Sequence, residues 1–141
     1  MNLKTTKNGT PMKDRYVADT MAVVLRLEKR RVSMQVKKVF VRAEAGHVEL
    51  FIPAMVLAEI GYLSEKKRID TSLEIAMSYA EKWDTISMEP ITAQIVVRAF
   101  EISDIPELHD RIIAATAIHR NALLITNDPV IAASKFLKTL W

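Results

Sequence analysis

Four carboxylates in this 141-residue chain stand where chemistry is commonly built. Asp19 directly follows a short apolar run, Tyr16-Val17-Ala18, and Asp128 comes shortly after the most apolar run, Leu123-Leu124-Ile125-Thr126. Glu59 lies early in the segment after a second apolar run, and Asp110 opens the stretch Arg111-Ile112-Ile113-Ala114-Ala115-Thr116-Ala117-Ile118. Each acid alone has a structural explanation. Asp19 and Asp128 suit helix N-caps, Asp110 suits a helix N-terminus, and Glu59 suits a surface. Gathered together they are costly: carboxylates about 5 Å apart repel by roughly 3 kcal/mol per pair at an effective dielectric near 20. A fold that keeps such a cluster needs a cation, and all-oxygen ligation suits Mg²⁺ or Mn²⁺. There is no cysteine, which excludes disulfides, thiol nucleophiles and cysteine-ligated metals. His47, His109 and His119 have no zinc spacing and read as incidental.

The elements that must position these acids follow from periodicity. Residues 16–18, 48–52, 85–88 and 123–126 read as short apolar strands, and residues 139–141 as a final edge strand. Residues 21–31 are rich in helix formers. Val36, Val39, Phe40 and Ala43 then make the stripe of an amphipathic helix that Gly46 ends. Residues 54–63 and 92–102 read as helices. Thr71 and Glu74 have capping-box spacing before the stripe of Leu73, Ala76, Met77 and Ala80. Asp104-Ile105-Pro106 is a break, and the small apolar helix from about residue 109 should pack closely against a sheet. Asp128-Pro129 opens a last short helix. Strands alternating with helices imply an α/β domain on a parallel sheet, with ligands at the carboxyl ends of its strands.

One domain accounts for the length, over residues 15–141, preceded by a polar, loose extension over residues 1–14 with Asn8-Gly9-Thr10-Pro11 as turn punctuation. No apolar run is long enough to cross a bilayer, and the first fifteen residues lack the apolar core of a secretory signal, so a soluble, cytoplasmic protein is expected. Twenty basic against seventeen acidic residues permit nucleic-acid binding without demanding it. Arg26, Lys29, Arg30, Arg31, Lys37, Lys38 and Arg42 form one basic stretch, and Lys66, Lys67 and Arg68 a second. Both also suit solvated surfaces. Met34, Phe40 and the surface at 57–62 read either as core or as a dimer or partner groove.

Tyr-Val-Ala-Asp19-Thr20, Ile52-Pro53 with Ala58-Glu59, His109-Asp110-Arg111-Ile-Ile-Ala-Ala-Thr-Ala117 and Leu-Leu-Ile-Thr126-Asn-Asp128 together resemble the four acidic motifs of PIN-domain ribonucleases. The subgroup they most resemble is the VapC-type toxins of toxin–antitoxin pairs, over roughly residues 16–136. The resemblance implies a central parallel sheet of four or five strands flanked by helices, and a homodimer. It implies a divalent-metal site, Mg²⁺ or Mn²⁺, made by Asp19, Glu59, Asp110 and Asp128. It further implies cleavage of single-stranded RNA and inhibition by a cognate antitoxin. Asp19 and Asp110 are the expected direct ligands, with Asp128 and Glu59 completing the site. Thr126 matches the hydroxyl residue before the last acid, and Thr20 keeps a hydroxyl where serine is also common, so both are expected to hold carboxylates. Arg111, beside Asp110, could touch phosphate or pair with a neighbouring carboxylate, and the pair is the expectation. The fourteen residues before the first strand exceed the family minimum.

Two other readings compete. A phosphoacceptor receiver domain also places acids at strand ends, but it needs an acidic pair after its first strand and a late lysine, and Asp19 stands alone. A non-catalytic PIN-like module that binds RNA or protein would keep the fold without hydrolysis. Acid-to-amide variants separate it from a nuclease.

Overall fold

The structure, a computed structural model, describes residues 14–141. The expected N-terminal extension therefore lies outside the described residues, save its last position. The described residues form five strands, β1 (Arg15–Ala18), β2 (Glu49–Pro53), β3 (Ile86–Glu89), β4 (Leu123–Ile125) and β5 (Thr139–Leu140). Seven helices connect and cover them: α1 (Thr20–Leu27), α2 (Met34–Glu44), α3 (Ala54–Glu65), α4 (Leu73–Ala80), α5 (Ala93–Ala99), α6 (Leu108–His119) and α7 (Pro129–Ala132). Every strand pairing is parallel, in the order β3-β2-β1-β4-β5. The expected α/β architecture is thus present, with five strands.

A parallel sheet is covered on both faces, so its strands are apolar on both. Val17, Ala18, Leu50, Ile52, Leu124 and Ile125 are accordingly fully buried. The α2 stripe of Val36, Val39, Phe40 and Ala43 faces this core, and Gly46 follows the helix at φ +85°, a conformation that favours glycine. Phe40 is therefore core, as is Ile60, whereas Met34 and Tyr62 remain exposed. On α6, Ala114, Ala115 and Ala117 are fully buried, and their small side chains let the helix approach the sheet. The buried Thr116 hydroxyl donates to the Ile112 carbonyl at 2.8 Å, so its burial leaves no polar group unpaired. Among the described residues no helix is long and apolar enough to cross a membrane.

Two expectations shift. The first helix stops at Leu27, and Lys29 turns the chain with φ +56°. The cap of α4 is Ser72, whose Oγ accepts from Ile75 N at 3.2 Å, and not Thr71. Glu28 causes the offset. Its Oε2 accepts from the amides of Asp70 at 2.8 Å and Thr71 at 3.1 Å, which fixes the approach to the helix one residue later.

The sheet order creates the site. From central β1 the chain works outward to β2 and β3, then crosses back to β4 and β5 on the other side. A crevice opens beyond the carboxyl ends of β1 and β4, where the two directions diverge. Register fixes its edges: Ala18 pairs with Ile125, and Asp19 N donates to the Ile125 carbonyl at 3.1 Å.

Candidate active site

Asp19 ends β1 and caps α1. Its Oδ1 accepts from Ala22 N at 2.9 Å, while Oδ2 takes no part in the cap. Asp128 does the same for α7, its Oδ1 accepting from Val130 N at 2.8 Å and Ile131 N at 3.1 Å. Capping and site-building are therefore not alternatives for these two acids. Pro53 ends β2 and leads straight into α3, which carries Glu59 in its second turn. Glu107 caps α6 by accepting from Asp110 N at 2.8 Å, which places Asp110 in the first turn.

All four acids line one cavity of about 990 Å³, together with Thr20, His109 and an apolar wall that includes Met21, Met55 and Tyr62. They line its walls without closing on a point. Among the described residues, no three acidic or histidine side chains group tightly enough to form a ready-made ion cage.

The acids lie close enough to act on one another's charge. Burial raises the Asp19 carboxyl above its ordinary range, against hydrogen bonds from Thr126 and Ala22, and Glu59 and Asp128 push it further up. Burial also raises Asp110, helped by Glu107, Asp128, Glu59 and Asp19, to about 6. Both hydroxyls singled out in the sequence touch the acids. Thr20 donates to Glu59 Oε1. Thr126, almost completely buried, lies near enough to Asp19 to lower its carboxyl and accepts from Asp128 N at 3.1 Å.

Sequence reasoning misplaced two neighbours. Among the described residues Arg111 makes no carboxylate pair: its Nε donates to the Ile105 carbonyl, and its guanidinium lies 5.8 Å from the centre of the Phe100 ring. His109, read as incidental for zinc though adjoining Asp110 and so able to see the site, lines the cavity with Nδ1 3.4 Å from Glu59 Oε2 and 3.7 Å from Glu107 Oε2. Its adjacency to Asp110 in a helical first turn was the available signal. The contact with Glu59, fifty residues earlier on another helix, left none.

A family model for the PIN domain matches residues 16–137, from the first residues of β1 to beyond α7. The chain belongs to the PIN-domain family. Solved structures share the fold of this PIN domain at low identity. VapBC2 from Rickettsia felis, bound to a DNA fragment from its promoter, is 22% identical with a TM-score of 0.66, covering 89% of this chain and 97% of that one. DNA-bound VapBC from Salmonella typhimurium is 15% identical with a TM-score of 0.66, covering 90% and 97%. Mycobacterium tuberculosis VapC20, a toxin that cleaves the Sarcin-Ricin loop, is 16% identical with a TM-score of 0.63, covering 88% and 98%. No curated protein matches this PIN domain.

Proposed function

We propose that this PIN domain is a divalent-metal-dependent endoribonuclease and the toxin of a toxin–antitoxin pair. One observation carries the reading: Asp19, Glu59, Asp110 and Asp128, from four separate elements, line a single cavity at the switch point of the parallel sheet. The likeness to VapBC pairs and to a Sarcin-Ricin loop cleaving VapC toxin supports an RNA substrate and an antitoxin partner; a homodimer in the cytoplasm is part of the same proposal.

The donor set fits a hard cation. It is all carboxylate, and burial and mutual repulsion raise Asp19 and Asp110, a cost that a positive ion relieves. Asp19 and Asp110 would hold Mg²⁺ or Mn²⁺, with Asp128 and Glu59 completing the site directly or through water. A divalent ion bound there supplies water activation and neutralises phosphate charge. The remaining groups hold this set in place. Thr20 donates to Glu59 Oε1 while His109 stands 3.4 Å from Oε2, and Thr126 lies between Asp19 and the backbone of Asp128, accepting from its amide. Hydrolysis with the 3′ oxygen as leaving group yields 5′-phosphate and 3′-hydroxyl ends and makes no use of the 2′-hydroxyl.

The test is cleavage of an end-labelled structured RNA with Mg²⁺ or Mn²⁺, with EDTA, and with Asp19→Asn and Asp110→Asn beside the wild type. Metal-dependent cutting to 5′-phosphate ends is expected, absent in both folded variants. Thr20→Val and Thr126→Val should lose about tenfold to a hundredfold. Cyclic-phosphate products, or cutting that survives both acid substitutions, would sink the mechanism. No cutting by folded, antitoxin-free wild type across several RNAs would favour the non-catalytic binding module.

A further inference from the structure

The cavity has one Phe, Tyr or Trp ring on its wall among the described residues, and nothing in the hydrolytic reading uses it. Tyr62 lies three residues after Glu59 on α3, so the two share a face of the helix. It lines the same cavity as the four acids and is 59% exposed. Lys66, one turn further along, places its Nζ 5.4 Å from the centre of the Tyr62 ring. An exposed ring on the cavity wall thus carries a cation over one of its faces.

We propose that Tyr62 and Lys66 form a stacking subsite for an unpaired nucleotide next to the reacting phosphate, a proposal that rests on the ribonuclease reading above. The chemistry matches part by part. The base stacks on the Tyr62 ring, a contact every base can make because every base has a π-face. Its phosphate meets Lys66, a cation set beside a cavity whose other charges are mostly carboxylates that repel the RNA backbone. Met21 and Met55 line the same cavity with flexible, polarizable thioethers that adapt to bases of different shape. A volume of about 990 Å³ leaves room for a nucleotide beside the acids. The subsite selects unpaired nucleotides over duplex, because a base held in a helix cannot reach the ring.

The test uses the full chain carrying Asp110→Asn, so that RNA survives, and fluorescence anisotropy with two probes: a labelled uridine octamer and an abasic ribose–phosphate octamer of equal length. Adding Tyr62→Ala should weaken uridine-octamer binding about tenfold to a hundredfold and leave abasic binding unchanged. Tyr62→Phe should bind within about twofold of the parent, because it keeps the ring. Lys66→Ala should reduce the slope of log Kd against log salt by about 0.7, one phosphate contact on a single strand. Equal uridine binding by the parent and Tyr62→Ala would overturn the subsite while leaving the RNA reading intact. Equal losses on both probes would also overturn it, since the ring would then be acting through structure. A parent that binds neither probe, with a wild type that cuts no RNA, would remove the ribonuclease reading and the subsite with it.

Discussion

Asp110 is held in its charged form against its surroundings. Burial first, then Glu107, Asp128, Glu59 and Asp19, raise its carboxyl to about 6 from an ordinary 3.8. The folded state therefore binds a proton that the unfolded state releases, and stability falls as pH rises from about 4 through about 6. Above that the full penalty is present. A shift of this size corresponds to about 3 kcal/mol for a fully buried group, and solvent screening of this half-exposed carboxyl reduces it to about 1 kcal/mol. Asp110→Asn should therefore be the more stable protein at pH 8 by about 1 kcal/mol, with the gap closing toward pH 4. Urea unfolding in EDTA at both pH values checks this. A variant less stable than wild type at pH 8 would show that Asp110 is a structural acid. At this scale Asp19, Asp110 and Asp128 were legible beside a strand end or helix start that periodicity locates, whereas Glu59, Thr20 and Thr126 were marked by the motif resemblance. The role of His109 was not legible, because its contact with Glu59 spans two helices.

The elements were legible in kind and less so at their ends. The α2 stripe emerges as read, with Val36, Val39, Phe40 and Ala43 all buried. The α4 cap does not, since Glu28 draws the amides of Asp70 and Thr71 and moves the helix start to Ser72. That displacement predicts opposite outcomes for neighbouring residues. Ser72→Ala should cost about 1 kcal/mol through loss of the cap. Thr71 is buried with its Oγ1 unpartnered, so Thr71→Val should be neutral or stabilising. Thermal unfolding of the two variants decides, and a large loss in Thr71→Val would restore the capping-box reading. Arg111 shows the same limit from the other side. Its nearest acid in sequence is Asp110, yet the Ile105 carbonyl and the Phe100 ring hold it after the chain reverses at Pro106. Local spacing cannot register a partner brought in by a turn.

The whole molecule supplies what no single element has. Asp19 and Asp128 are more than a hundred residues apart, and they share a cavity because β1 and β4 are neighbours in register. If that cavity takes a divalent ion, binding stabilises the folded chain by mass action. Saturating Mg²⁺, about a hundredfold above Kd, should raise Tm by about 5–10 °C. Calorimetry against NaCl of equal ionic strength checks this, with the shift expected to vanish in the Asp19→Asn, Asp110→Asn double variant. An equal shift in that variant would place the ion elsewhere. The sequence by itself determined the alternation of strands and helices, and with it the parallel sheet, because apolar periodicity is a local property. It also marked the acids at the ends of those elements. Only the tertiary structure decided that four carboxylates face one cavity, that Thr20 and His109 grip Glu59, and that Tyr62 stands on the cavity wall. Those contacts depend on strand order and helix packing, which set distances between residues that no spacing along the chain encodes.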